Sequence, residues 1–219
     1  MLRRELIGSP SFSFPSSHSC LRYPGPYHEM SPSIVRSVLE VASLGPGDHF
    51  VDIGAGDGRV CVAAARDFGC ASVTGLEIDK EVAKLCRDNI ARQGLSERIR
   101  IVEGDARDAD ISSATCVSLY LSERGNAALR PLLQPLLLAR PATRVVSFVF
   151  PMPSWTPVRT ELERDSGIPI YLFDGSSLPA NIRKAYEARR GEREAEEAAA
   201  ATKKVEEERR KAQAPQQQA

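Results

Sequence analysis

The stretch "FVDIGAGDGRVCVA", Phe50 to Ala63, runs an apolar segment into Gly54, Gly56 and Gly58 and then into a second run with apolar residues at helical spacing. A short apolar run closed by glycines reads as a buried strand, so the whole stretch is a strand, a tight loop and a helix. Glycine lacks a Cβ, so three of them in alternation let the loop take positive φ and let a ligand lie directly against the backbone. The helix, opening near Asp57 to Arg59, adds N–H groups that have no partner inside the helix.

The pattern continues on both sides. "SPSIVRSVLEVASL" has Ser31 as an N-cap, Pro32 at the first helical position and apolar residues at 34, 35, 38, 39 and 42, which predicts a helix. Downstream, "ASVTGLEID" reads as strand, "KEVAKLCRDNIARQG" as a helix closed by Gly94, and "RIRIVEGD" as strand. Two more apolar runs, "SSATCVSLYL" and "ATRVVSFVF", flank "ERGNAALRPLLQPLLLAR", where Pro131 and Pro135 predict an irregular or kinked helix. Strands alternating with helices imply right-handed crossovers and a parallel sheet covered on both faces. The rhythm then breaks: "PVRTELER" and "IPIYLF" are separated only by "DSG", too short for a crossover and suited to an antiparallel hairpin. The expected fold is α/β, a doubly wound, mostly parallel seven-stranded sheet ending in an antiparallel hairpin, over residues 27–180.

Composition sets bounds around this domain. The 219 residues carry 29 basic and 29 acidic side chains, so no overall field draws the chain to nucleic acid or anionic membrane. Five cysteines without a C-x-x-C pair and three scattered histidines argue against a disulfide framework or a zinc site, and for a reducing compartment. Apolar runs such as "PLLLA" fall far short of the roughly 20 residues of a membrane-spanning helix. Residues 1–26 hold Arg3, Arg4 and Arg22 against Glu5, with serines throughout, and read as a disordered or targeting segment; a mitochondrial address and a cytoplasmic one both stay open. Residues 181–219 are rich in Ala, Glu, Lys, Arg and Gln, and predict a solvated helix fading into a disordered tail.

The glycine loop does not fit a phosphate. A dinucleotide loop needs G-x-G-x-x-G, and here Arg59 stands where its last glycine would be; the G-K-[ST] of a Walker loop is absent. Asp52 and Asp57 also put carboxylates beside the loop, which repel a pyrophosphate and suit a cation. "VDIGAGDGR", "VTGLEID" and "IVEGDARD", in this order, resemble the cofactor motifs of class I S-adenosylmethionine-dependent methyltransferases. The resemblance implies that Asp52 and the backbone of Gly54, Ala55, Gly56 and Gly58 face the methionyl end of S-adenosylmethionine. Glu77, followed by Ile78, would accept the ribose hydroxyls, and Asp105, with the Ala106 backbone beside it, would accept from the adenine amino group. Taken singly, Glu77 also suits the ribose of NAD, and Asp105 also suits a helix cap.

The acceptor is read from the end of the fourth strand. Methyltransferases of adenine or of glutamine amides carry [DN]-P-P-[YFW] there, whereas this chain has "SLYLSERGN", Ser118 to Asn126. Together with "N-x-x-LRP-L", "P-x-TRVVS" and a late tryptophan, that segment is similar to a group of protein lysine methyltransferases with prokaryotic members and mitochondrial ones. The latter act on the adenine nucleotide translocase and the ATP synthase c-subunit. The resemblance spans roughly residues 27–173. It departs in two places: the apolar segment ahead of the domain in animal members is not seen, and Phe148 and Val149 follow Ser147 where relatives have polar residues. It implies a lysine side chain of a protein as partner and no nucleic acid. Tyr120 is expected to orient the amine by its hydroxyl or by cation–π contact, with Ser147 and Trp155 lining the same channel. Glu123 reads as helix-initiating.

Overall fold

The computed structural model describes residues 29–213, with side chains to 205. The basic N-terminal segment and the glutamine-rich end of the tail lie outside the described residues. In chain order come α1 (Pro32–Val41), β1 (His49–Ile53), α2 (Arg59–Arg66), β2 (Ser72–Glu77), α3 (Lys80–Arg92), β3 (Ile99–Glu103) and β4 (Cys116–Leu119). Then follow α4 (Glu123–Ala139), β5 (Arg144–Phe148), β6 (Arg159–Leu162), β7 (Pro169–Phe173) and α5 (Ala180–Gln213). Ser31 caps α1 through its side chain, which accepts from the Ile34 N–H, with Pro32 in the first turn.

The seven strands form one sheet in the order β3-β2-β1-β4-β5-β7-β6. The pairs from β3 to β5 are parallel; β7 runs antiparallel to β5, and β6 antiparallel to β7. The chain starts at β1, winds outward to β3, and returns to lay β4 on the other side of β1. The order therefore reverses between β1 and β4, where an open sheet leaves a crevice beyond its carboxyl ends.

Strand alternation divides the core in two. Phe50, Cys116, Val146 and Phe148 pack with Leu39, Val60, Cys61 and Ile90 of α1 to α3 on one face. Val51, Ile53, Leu119 and Val145 pack with Leu129, Leu133 and Leu137 of α4, and with Trp155 and Phe173, on the other. Gly75 in β2 permits close approach on the first face: a Cβ there would fall 2.8 Å from Ala55 Cβ and 3.0 Å from Cys61 Sγ.

Of the expectation of an irregular or kinked helix over residues 123–140, the interruption is corrected. α4 runs unbroken from Glu123 to Ala139 with both prolines inside it. Pro131 and Pro135 stand four residues apart, so both lie on one exposed side, where water can reach the carbonyls they leave unpaired, while Leu129, Leu133, Leu136 and Leu137 stay buried. α5 buries no apolar stripe; Arg190–Glu194 and Arg193–Glu197 pair along it at i,i+4 spacing. Among the described residues no helix is long and apolar enough to cross a membrane.

Candidate active site

The loop leaving β1 is shaped by the conformations that only glycine takes cheaply. Gly54, Gly56 and Gly58 have φ of 83°, 57° and 86°. A Cβ on Gly54 would stand 3.1 Å from Leu121 Cδ2, and one on Gly58 would stand 2.7 Å from Cys86 Sγ. The loop thus fits between α3 and the segment after β4 because Gly54 and Gly58 have no side chains. Its backbone folds over β2: the Gly54 and Ala55 N–H groups both donate to the Leu76 carbonyl, at 2.8 and 3.0 Å. Arg59 fastens the outer side, pairing with Asp57 and with Glu29 at 3.1 Å and donating from Nη1 to the Met30 carbonyl at 2.6 Å. Asp57 is therefore balanced by a guanidinium, so the negative character read from the sequence rests on the other carboxylates.

Glu77 ends β2 with its carboxylate in the crevice. Oε2 accepts from the Gly56 N–H at 2.9 Å and Oε1 from the Asp79 N–H at 3.0 Å, which fixes the group; each oxygen keeps a further lone pair for a ligand. Next to it Ile78 is 43% exposed, an apolar surface where most of its kind are buried. After β3, Asp105 caps the short 3-10 turn Ala106–Asp108 by accepting from the Arg107 N–H at 3.0 Å and pairs with the Arg107 guanidinium. The helix-cap reading and the site position thus coincide in Asp105.

Asp52 differs from its expected place. It shares the parity of Phe50 in β1, so its side chain turns toward α2 under the loop and not toward the opening. Oδ1 accepts from Ser118 Oγ at 2.5 Å and Oδ2 from Cys61 Sγ at 3.8 Å, and the residue is 4% exposed. Burial pushes its carboxyl up to about 7; the Ser118 and Cys61 hydrogen bonds oppose this, and the nearby Glu77 and Asp57 charges add to it. Asp52 ties β1 to β4 through Ser118 and to α2 through Cys61.

The three residues expected around the acceptor do not share one surface. Tyr120, just past β4, packs its ring on Phe148 with centroids 5.2 Å apart, on the face of α1 to α3; partial burial raises its hydroxyl pKa. Ser147 pairs in register with Leu119, so it points to the opposite face. It is fully buried, and its Oγ donates to the Phe150 carbonyl at 2.7 Å. Trp155 packs on Phe173 in an edge arrangement at 5.9 Å on that same α4 face, with Nε1 buried and without a partner. The expectation that Ser147 and Trp155 line a channel with Tyr120 is therefore corrected, for Ser147 by the alternation of β4 and β5 and for Trp155 by its packing on Phe173. Glu123 stands in the first turn of α4, behind the Ser122 N-cap.

Sequence reading missed several contributors. Ser118 and Cys61 hold Asp52, and a polar residue in register with Asp52 on β4 was the available signal. Asn126 belongs to the quoted "N-x-x-LRP-L" segment and is fully buried, bridging α4 to the chain after β5. No cluster of His, Cys, Asp or Glu able to hold a metal occurs among the described residues.

The geometry is a glycine-walled crevice at the switch point, with fixed carboxylates after β2 and β3 and an aromatic residue after β4. The ANTKMT methyltransferase domain matches residues 52–159, which span these elements. A protein-lysine N-methyltransferase of Saccharolobus islandicus is 35% identical over 150 residues, covering 68% of this chain and 92% of that protein. The chain belongs to the ANTKMT family of S-adenosylmethionine-dependent methyltransferases. Among other ANTKMT relatives, the adenine nucleotide translocase lysine N-methyltransferase of Mus musculus is 32% identical over 156 residues, 71% of this chain and 66% of the mouse protein. A solved structure described as an RNA methyltransferase of Salinibacter ruber, in complex with S-adenosyl-L-homocysteine, is 36% identical with a TM-score of 0.64; it covers 70% of this chain and 97% of its own. The crevice fits S-adenosylmethionine: the Glu77 carboxylate is held there by the Gly56 and Asp79 N–H groups and keeps acceptor capacity on both oxygens.

Proposed function

We propose that this enzyme methylates the side-chain amine of a lysine in a protein. The observation that carries this is the 35% identity that extends over 92% of the Saccharolobus islandicus protein-lysine N-methyltransferase. The absence of Asn-Pro-Pro-aromatic in "SLYLSERGN" supports it. The Gly54 to Gly58 backbone would hold the amino-acid end of the cofactor, Glu77 the ribose, and Ile78, Asp105 and Ala106 the adenine, with Asp52 tying β1 to β4 and α2. When bound, the cofactor supplies a methyl group on a sulfonium, already activated for displacement. The protein's part is alignment and exclusion of water. A lysine ammonium, with a pKa of about 10.4, must first lose its proton, which a poorly solvated mouth favours. Tyr120 would orient the resulting amine, its hydroxyl remaining protonated because burial raises its pKa.

A second reading, transfer to RNA, is favoured by the description of the Salinibacter ruber structure. One experiment separates the two: the protein is incubated with tritiated S-adenosylmethionine and a cell extract, and the product is divided into nuclease-treated and protease-treated halves. Label that survives nuclease and appears as methyl-lysine on acid hydrolysis is expected; label lost to nuclease would overturn the lysine reading. The basic, serine-rich N-terminus supports a mitochondrial address for the same activity. Fractionation of cells expressing the tagged full chain tests it, and a wholly cytosolic signal would refute it.

A further inference from the structure

The chain leaving β5 turns back through a backbone conformation that its sequence does not favour. Val149 has φ of 72°, in the left-handed region that a β-branched side chain almost never occupies. The Phe150 N–H donates to the Phe148 carbonyl at 3.0 Å, so Val149 is the central residue of a tight three-residue turn of the rare, strained hand. Such a conformation persists only where its surroundings over-determine it, and it is worth asking what does so here.

The answer is Asn126, from the first turn of α4. Its Nδ2 donates to the Phe150 carbonyl at 2.9 Å and lies 3.1 Å from Ser147 Oγ and 3.4 Å from the Pro151 carbonyl. Ser147 Oγ donates to the same Phe150 carbonyl at 2.7 Å. Three oxygens around this end of the amide identify it as the nitrogen. The other end, Oδ1, is buried without a partner, which an apolar side chain in this place would avoid. The residue is therefore a poor choice for stability alone, and what it contributes is the pair of N–H donors aimed at the turn. Those donors connect the two chain exits that flank the acceptor position. α4 follows directly on Tyr120 and Leu121, and the turn lies between Phe148, on which the Tyr120 ring rests, and Phe150, which is 39% exposed.

We infer that Asn126 is a positioning residue for methyl transfer: it clamps the left-handed turn at Val149 and thereby fixes Phe148 under Tyr120 and Phe150 at the mouth. The kinetic part of this rests on the proposed transfer to protein; the conformational part does not. Glycine adopts positive φ without strain, so Val149→Gly removes the need for a clamp and serves as the rescue.

The test compares Asn126→Ala, Asn126→Asp, Val149→Gly and the double variant Asn126→Ala/Val149→Gly in the full chain. Labelling of nuclease-treated extract protein is measured over an extract dilution series. Calorimetry with S-adenosylmethionine reports the cofactor site. Acrylamide quenching of Trp155, the one tryptophan of the chain, whose backbone N–H donates to the Met152 carbonyl just beyond the turn, reports the turn itself. Asn126→Ala and Asn126→Asp are expected to lower labelling about tenfold or more, leave cofactor affinity within about twofold, and raise quenching about twofold. The double variant is expected to recover labelling to within about threefold of the parent. Unchanged labelling in Asn126→Ala, a matching fall in cofactor affinity, or a double variant no faster than Asn126→Ala would each overturn the inference. If the parent chain labels no protein, the proposed function fails, and the quenching series still decides the clamp: equal quenching in parent and Asn126→Ala refutes it, and increased quenching that Val149→Gly reverses upholds it.

Discussion

Replacing Asp52 by asparagine is expected to make this protein less sensitive to alkaline pH. The carboxyl is enclosed between Ser118 and Cys61, and burial raises it from 3.8 to about 7. Above pH 3.8 the unfolded chain releases this proton while the folded one keeps it, so its contribution to stability is full below about pH 3.8 and is lost as pH rises through about 7. A rise of about 3 units corresponds to roughly 4 kcal/mol at full extent, of which about 2 kcal/mol falls between pH about 5.5 and about 8.5. Asparagine keeps the shape, carries no charge at any pH and removes this slope, while its amide can still accept from Ser118. Urea unfolding of parent and Asp52→Asn without cofactor, at those two pH values, isolates the residue because every other titrating group is common to both. The expected result is a parent that loses about 2 kcal/mol more than the variant across the interval. Equal losses in the two proteins would refute the placement of a shared proton beneath the glycine loop.

Further outcomes follow from other parts of the site. Glu77→Gln puts an amide NH₂ against the Gly56 or Asp79 N–H and is expected to weaken S-adenosylmethionine binding by about tenfold or more in calorimetry, with far-UV dichroism unchanged. Gly54→Ala combines φ of 83° with a Cβ 3.1 Å from Leu121; a loss of about 1–2 kcal/mol in urea unfolding is expected, together with weaker cofactor binding. Tyr120→Phe keeps the ring on Phe148 and removes only the hydroxyl, so labelling of protein should fall about tenfold at unchanged cofactor affinity. Ser122→Ala deletes the side-chain acceptor for the Gly125 N–H at the start of α4 and should lower the melting temperature by about 2–4 °C.

Much of this architecture was legible because strand and helix periods in residues 31–173 agree with one another. The short "DSG" link between the last two strands leaves no room for a crossover and so requires the antiparallel ending. Glu77 and Asp105 were legible as candidates for a related reason: Glu77 ends β2 and Asp105 follows β3 by two residues, on the carboxyl edge where an open sheet binds ligands. The orientation of Asp52 and Ser147 was not. It depends on which face of the sheet a residue takes, and a slip of one residue at a strand end reverses that face. The prolines of α4 do not interrupt it, since the carbonyls they leave unpaired lie on the exposed side where water can reach them. The turn at Val149 carries no local sequence signal, since valine is the last residue expected there, and Asn126 acquires meaning only from the carbonyls that the turn presents to it.

The terminal helix has a practical consequence for anyone weighing this molecule. Thirty-four residues of continuous α-helix make a rod about 50 Å long. Drag depends on shape, and a 23.9 kDa particle with such a projection diffuses like a larger sphere. A single copy will leave a sizing column early, at the volume of a heavier globular standard. Light scattering, which counts mass and ignores outline, will return the weight of one chain from that same peak, and removing residues 190–219 will shift the peak far more than thirty residues of mass would explain.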